Sequence, residues 1–263
     1  MKIILLICLF PLFVFGGGAI NFDGVDDYVE IGDDDSLSFT DGVGTDEPFS
    51  IAMWLYPDSL YQQGVMAKRD SSSVLEYLVN TEADEGLTFR LYSESGVAGY
   101  LTMRSTPLTP YIEMWSQIVF VYDGSEEYTG MKIYLNGDDI STIGSESGTY
   151  VGMSKTLAKV RLGVNYIGGW YLNGSIGEVL IYNKALSPEE IKRIYTSKNV
   201  WYPKNGLVSR WTMENNGIST GQPHPNGSTI KDSVGSNDGT IVDGSDNSMT
   251  LESSPTRTKR GRR

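Results

Sequence analysis

The sequence has one cysteine and one histidine in 263 residues, and each scarcity removes a class of chemistry. Cys8 lies in the apolar opening run "MKIILLICLFPLFVFGGGA". It follows Ile7 rather than a small residue, so lipid attachment there is not expected. The rest of the chain has no thiol, no disulfide and no cysteine ligand for a metal. His224 stands alone between Pro223 and Pro225, which leaves no nucleophile–histidine arrangement and no conventional zinc site. Cations are also scarce: 21 Lys and Arg against 33 Asp and Glu give a net charge of −12. Lys2 and the five cations of the closing "RTKRGRR" lie outside the body, so residues 20–256 sum to −18. A body this acidic repels phosphate backbones, which excludes nucleic acid as a partner, and it suits divalent cations. The only long apolar run is the opening one, Ile3 to Phe15. It falls short of the roughly twenty residues of a membrane span and is interrupted by Pro11. Residues 1–19 therefore read as a cleaved secretory signal, with Gly17 and Ala19 at small-x-small spacing before a cut at Ile20. The expectation is a secreted or virion or cell-surface protein with no membrane contact after cleavage.

What is present is turn chemistry and short apolar alternation. Thirty glycines and sixteen tyrosines, scattered among Ser, Thr, Asn and Asp, predict many short strands joined by turns. In "WSQIVFVYD", Trp115, Gln117, Val119 and Val121 point one way, and Ser116, Ile118, Phe120 and Tyr122 the other. Both sets are largely apolar, as in a central strand covered on both faces. "YLNGDDI" supplies an Asn136-Gly137 hairpin turn. One helix is expected, near residues 187–197: Ser187 as N-cap, Pro188 at its first position, Glu190 completing a capping box, and an apolar stripe of Leu186, Ile191, Ile194 and Tyr195. The class is all-β: an antiparallel jelly-roll β-sandwich of two sheets with one short surface helix.

The order of the pieces resembles the laminin-G-like jelly-roll family of the concanavalin A-like lectin/glucanase superfamily. The matching stretches are "AINFDGVDDYVEI", "FSIAMWLYPDSL", "GVMAKRD", "MWSQIVFVYDG", "MKIYLNGD", "RLGVN" and "LNGSIGEVLIYNKALSPEEIKRIY", in family order over residues 18–195. The resemblance implies two antiparallel sheets, often a divalent cation, and a ligand site at a rim. Its members are mostly carbohydrate- or protein-binding modules of secreted, cell-surface or viral proteins, and some superfamily relatives cleave glycans.

Glycan cleavage on this fold would need carboxylates at alternate positions of one strand. The nearest candidate, "EADEG", has Glu82 and Asp84 at that step, but Glu85 falls on the other face and Gly86 marks a turn, so the segment reads as a solvated loop. Calcium, which takes six to eight oxygens, is the better chemical expectation. Asp23, Asp26 and Asp27 of "FDGVDD" are the candidate ligands, with Asp33, Asp34 and Asp35 close behind; the competing reading is an Asx turn at Asp23-Gly24 with the rest solvated. A pentraxin-like calcium pair would place Asp70 in its first position, but the second reads "LGVNYIGGWY" and has no carboxylate. That loop is the expected ligand feature: Tyr166, Trp170 and Tyr171 as aromatic platform, Asn165 as hydrogen-bonding amide. The competing reading packs Trp170 or Tyr171 inward.

In relatives, a segment like "GLVSRWTMENN…IKDSVGSNDGTIVDG" precedes the "AINFDGVDDYVEI" strand; here it comes last, at residues 206–244. The expected organisation is a signal over 1–19, a sandwich over 20–200, an extension over 201–250 packing on that sandwich, and a disordered basic tail over 251–263. The extension instead completes a neighbouring molecule if strands are exchanged, giving a homo-oligomer. The functional expectation is a non-enzymatic recognition module for a glycan or a surface protein, calcium-dependent if the aspartates bind metal. The alternatives are a structural assembly protein and a polysaccharide-cleaving enzyme.

Overall fold

The computed structural model describes residues 18–71, 73–93, 99–166, 169–197, 201–214, 223, 225–244 and 249–253. His224, residues 1–17 and the "RTKRGRR" tail lie outside these. In chain order the strands are β1 (Gly18–Asp23), β2 (Tyr28–Ile31), β3 (Phe49–Pro57), β4 (Gly64–Arg69), β5 (Leu75–Thr81), β6 (Gly86–Tyr92), β7 (Tyr100–Pro107), β8 (Ser116–Tyr122) and β9 (Met131–Leu135). Then come β10 (Asp138–Asp139), β11 (Ser141–Ser147), β12 (Val160–Leu162), β13 (Asn173–Tyr182), helix α1 (Pro188–Thr196), β14 (Leu207–Trp211), β15 (Thr229–Ile230), β16 (Gly239–Val242) and β17 (Thr250–Ser253). They form two antiparallel sheets. The eight-stranded sheet runs β10-β9-β8-β3-β13-β1-β17, with β14 also on β13, and the nine-stranded sheet runs β11-β7-β6-β5-β4-β12-β2-β16-β15. This is the expected β-sandwich.

One apolar layer fills the space between the sheets. Phe39 stacks on Phe49 with ring centroids 4.3 Å apart, and Tyr77, Phe89 and Tyr122 pack around Phe49. A polar clamp closes one side of this layer. The buried Asp46 carboxylate accepts from the hydroxyls of Tyr122 and Tyr150, each at 2.7 Å, and from the Met153 amide at 2.6 Å. Burial, with the Asp46 charge, pushes both phenols well above their ordinary range, so they stay protonated donors.

Helix α1 forms where its caps predict. The Ser187 hydroxyl accepts from the Glu190 amide and the Glu190 carboxylate accepts from the Ser187 amide, with Pro188 in the first turn. Ile191 and Ile194 are buried against Ala52, Val119, Val121, Leu180 and Tyr182 on the outer face of the eight-stranded sheet. That contact explains why β8 is apolar on both faces. Asn136 and Gly137 both adopt positive φ, 53° and 85°, in the β9–β10 hairpin.

The C-terminal segment joins both sheets of its own chain. β14 pairs with Val179–Tyr182 of β13, in line with β1, which takes Asn173–Ile176. β16 adds to β2, and β17 adds to β1. Trp211 is fully buried, its indole N–H donating to the Asn237 carbonyl at 2.7 Å. Two expectations change here. Thr229–Ile230, read as loop, forms β15, and the residues from 251, read as the start of a disordered tail, continue β17 to Ser253. An open β1 edge offers unpaired main-chain groups that such a strand satisfies. Upstream, Gly18 and Ala19 are part of β1, opposite Ser253 and Glu252, and Ala19 is buried beside Trp54. A cut before Ile20 would remove that part of the strand.

Candidate functional site at one rim of the sandwich

Two features distant in sequence meet at one end of the sandwich. The first is the turn between β1 and β2. Asp23 Oδ1 accepts from the Val25 amide at 2.7 Å, the expected Asx turn, and Gly24 takes φ 84° to pass it. Asp27, fully buried, accepts from the Asp23 amide through Oδ2 at 3.2 Å. The turn and the carboxylate cluster coexist: Asp23, Asp26 and Asp27 each offer one oxygen, all within 4.8 Å of one another. Asp33 instead pairs with the buried Lys68 near the other end of β4, and Asp35 pairs with Lys155.

A fourth acidic residue enters from far along the chain. Val242 pairs with Tyr28 in the β16–β2 ladder, so continuation of the register sets the buried Asp243 alongside Asp27. The next residue, Gly244, has no room for a side chain, because a Cβ there would lie 1.9 Å from Asp26 Cγ and 2.1 Å from its oxygens. The main chain at 243–244 therefore closes over the acidic turn. Sequence reasoning missed this contribution; the available signal was "TIVDG" read antiparallel to "DDYVE", with each run bringing an aspartate to the same end.

The second feature is the loop from Val164 to Tyr171. Asn165 braces it: its Oδ1 accepts from the Trp170 amide at 3.1 Å, and its own amide donates to the Trp170 carbonyl at 3.2 Å. The Gly64 amide donates to that same carbonyl. A Cβ at Gly64 would lie 2.0 Å from the Asn165 nitrogen, so glycine lets the loop settle directly on β4. Asn165 is buried and thus positions the loop, while Tyr166, Trp170 and Tyr171 are each half-buried. The Arg69 guanidinium sits 4.7 Å from the centre of the Tyr166 ring, which places Tyr166 against β4 of the nine-stranded sheet. The loop's end meets the acidic turn, where Gly24 lies against Asn173 and Tyr171 helps, after burial and Glu30, to raise the Tyr28 phenol.

The remaining candidates fall elsewhere. Asp70 accepts from Arg161 at 2.8 Å, an ion pair that occupies it at the Arg69 end of β4. Burial opposes ionisation of Glu30, but hydrogen bonds from Lys159 and Arg161 outweigh it and hold the carboxyl below its usual range. Glu82 to Gly86 form the expected turn, with Glu85 at φ 62°. Asp84 accepts two bonds from Arg104 at 2.8 Å, and Glu82 accepts from Asn80 at 3.1 Å.

The profile of the concanavalin A-like lectin/glucanases superfamily matches residues 23–192. The chain belongs to this superfamily. No curated protein matches it. Among solved structures, a candidate carbohydrate binding protein from Bacteroides ovatus is similar at 17% identity, with a TM-score of 0.59. That alignment covers 91% of this chain and 61% of the Bacteroides protein, so this chain spans about three-fifths of its length. A heptameric SAP-like pentraxin from Limulus polyphemus aligns at 11% identity and a TM-score of 0.49, over 90% of this chain and 95% of its own. The superfamily match starts at Asp23, the first aspartate of the acidic turn, and ends inside α1. Strands β14 to β17 lie beyond it. Among the described residues, no helix is long and apolar enough to cross a membrane.

Proposed function

We propose that the chain is a non-enzymatic carbohydrate-recognition module. It holds a saccharide at the rim where the Val164–Tyr171 loop meets the acidic turn, and calcium at Asp23, Asp26 and Asp27 steadies that rim. The observation that carries this reading is the convergence itself: an aromatic loop and a carboxylate cluster far apart in sequence share one end of the fold. Half-buried aromatic rings offer flat apolar surface to the C–H faces of a sugar, and neighbouring polar groups bond its hydroxyls. The Bacteroides relative, whose description names carbohydrate binding, supports the same ligand class.

The donor set fits calcium rather than zinc or a soft metal. It consists of hard carboxylate oxygens without nitrogen or sulfur, with the main chain at Gly244 packed directly against Asp26. In this reading the ion ties the β1–β2 turn to the C-terminal segment, and the loop is fixed by Asn165. Hydrolysis is not part of the proposal, since Glu82 and Asp84 lie in a turn and are engaged by Asn80 and Arg104. A glycan array read with and without EDTA tests the reading. Binding that weakens on chelation supports it, and no binding under either condition refutes it.

A further inference from the structure

The sequence holds two Asn-x-Ser triplets, Asn173-Gly174-Ser175 and Asn226-Gly227-Ser228, and both match the acceptor pattern for an N-linked glycan. Saccharide recognition at the rim requires neither triplet. The fold treats the two in opposite ways.

Asn173 opens β13, which is hydrogen-bonded on both sides. It pairs with Asp23 of β1, and Gly174 pairs with Pro57 of β3. The Asn173 amide donates to Gln63 Oε1 at 3.3 Å, and its carbonyl accepts from the Asp58 amide at 3.0 Å. Its side chain is packed against the acidic turn, since a Cβ at Gly24 would lie 2.9 Å from Asn173 Cβ. A Cβ at Gly174 would lie 2.4 Å from the Tyr56 carbonyl oxygen. Ser175 is fully buried, and its hydroxyl accepts from Asn21 at 3.1 Å. A glycan on Asn173 would have to part the β1–β2 turn from β13.

Asn226 lies in the turn ahead of β15, the strand that ends the nine-stranded sheet. Pro225, Asn226 and Gly227 are all exposed. Gly227 takes φ 84°, and a Cβ there would meet nothing within 4 Å. Main-chain bonds hold this turn on β16. The Gly227 amide donates to the Ile241 carbonyl at 2.9 Å, and the Ile241 amide donates to the Ser228 carbonyl at 2.8 Å. Ser228 donates to the Pro225 carbonyl from both its amide, at 3.0 Å, and its hydroxyl, at 2.6 Å. The turn is thus fixed from one side while Asn226 is presented from an outer edge of the sheet.

We propose that Asn226 carries an N-linked glycan and that Asn173 does not. In the transfer, Asn226 Nδ2 bonds to C1 of the reducing-end sugar of a lipid-diphosphate oligosaccharide. The bond from C1 to the diphosphate oxygen breaks, the lipid diphosphate leaves, and a base of the transferase takes the amide proton. The inference rests on the secretory reading of residues 1–19 and is independent of saccharide binding at the rim.

The test is secretion of the full chain from animal cells, followed by enzymatic deglycosylation in oxygen-labelled water. That reaction turns a glycosylated asparagine into labelled aspartate, which peptide mass spectrometry locates. The expected result is a single labelled position, Asn226. The label is lost in Asn226→Gln and Ser228→Ala, and kept in Ser228→Thr and Asn173→Gln. A labelled Asn173 in the secreted protein, or an unlabelled Asn226, overturns the inference. A parallel chain carries a standard secretory leader in place of residues 1–17. A glycan on Asn226 with that leader alone supports the acceptor assignment and refutes the secretory reading of residues 1–19. No glycan with either leader overturns the inference.

Discussion

The two sheets turn contrasting outer faces to their surroundings. The eight-stranded sheet presents Ala52, Val119, Val121, Leu180 and Tyr182, and α1 covers them through Ile191 and Ile194. Of its Glu178–Arg210 ion pair the carboxylate is buried, and burial raises the Glu178 carboxyl despite the arginine. The outer face of the nine-stranded sheet carries Glu30, Arg161, Asn80, Arg90 and Thr102, of which Arg161, Asn80 and Thr102 are buried, while α1 lies on the other sheet. The first face is finished by packing within the chain. The second combines ion pairs with a small buried cluster of Ala67, Leu75, Leu78 and Tyr92, and it is the side beside which we propose recognition.

The largest expected effect tests an ion pair on the inner side of the nine-stranded sheet, where Lys68 pairs with the core residues Tyr77 and Val160. Lys68 is fully buried, with the Ala158 carbonyl 2.8 Å from its Nζ, and it faces Asp33 and Glu76. Lys68→Met should cost about 3–5 kcal/mol at neutral pH in urea unfolding, because it strands buried carboxylate charge. Burial already raises the Glu76 carboxyl above its usual range, against the pull of Lys68. For an acid with a raised folded value, the stabilising contribution is complete below the ordinary carboxylate range and is lost as pH rises through the raised value. The cost of Lys68→Met should therefore shrink on acidification, and a pH-independent cost would count against the ionic account. Ile191→Ala on the packed face should cost about 2–5 kcal/mol, with no pH dependence and no change in saccharide affinity.

Calcium probes the rim between the faces. At a hundredfold excess over its dissociation constant, it should raise unfolding free energy by about 2.7 kcal/mol, and Asp26→Asn should abolish the gain. Unchanged melting with calcium or EDTA would remove the metal from the account. Asn165→Ala should cost about 1–3 kcal/mol through its lost loop bonds. It should also weaken saccharide binding about tenfold by releasing Trp170, a difference of about 1.4 kcal/mol.

Much of the fold was legible because its signals are local. The Ser187 capping box, the Asn136-Gly137 turn and the two-sided apolarity of β8 each have their cause within a few residues. The acidic cluster was legible for the same reason, since Asp23, Asp26 and Asp27 share one turn. What stayed hidden depends on long-range register. The approach of Asp243 and Gly244 to that turn follows from pairing of β16 with β2, which no local pattern reports. Asn165 was read as an amide that bonds the ligand; it is buried, and its bracing of Trp170 follows from the conformation of the loop rather than from local pattern.

The most direct test of the central claim, that recognition belongs to the rim beside the nine-stranded sheet, is one titration series. An oligosaccharide positive on the array is titrated into the parent, Trp170→Ala and Tyr202→Ala. Tyr202 is the control: it is half-buried with Lys204 and Arg210 against its ring, and it packs with the helix-covered cluster. The account predicts at least about a tenfold loss for Trp170→Ala and parental affinity for Tyr202→Ala. Equal affinity in all three, or loss confined to Tyr202→Ala, would contradict it.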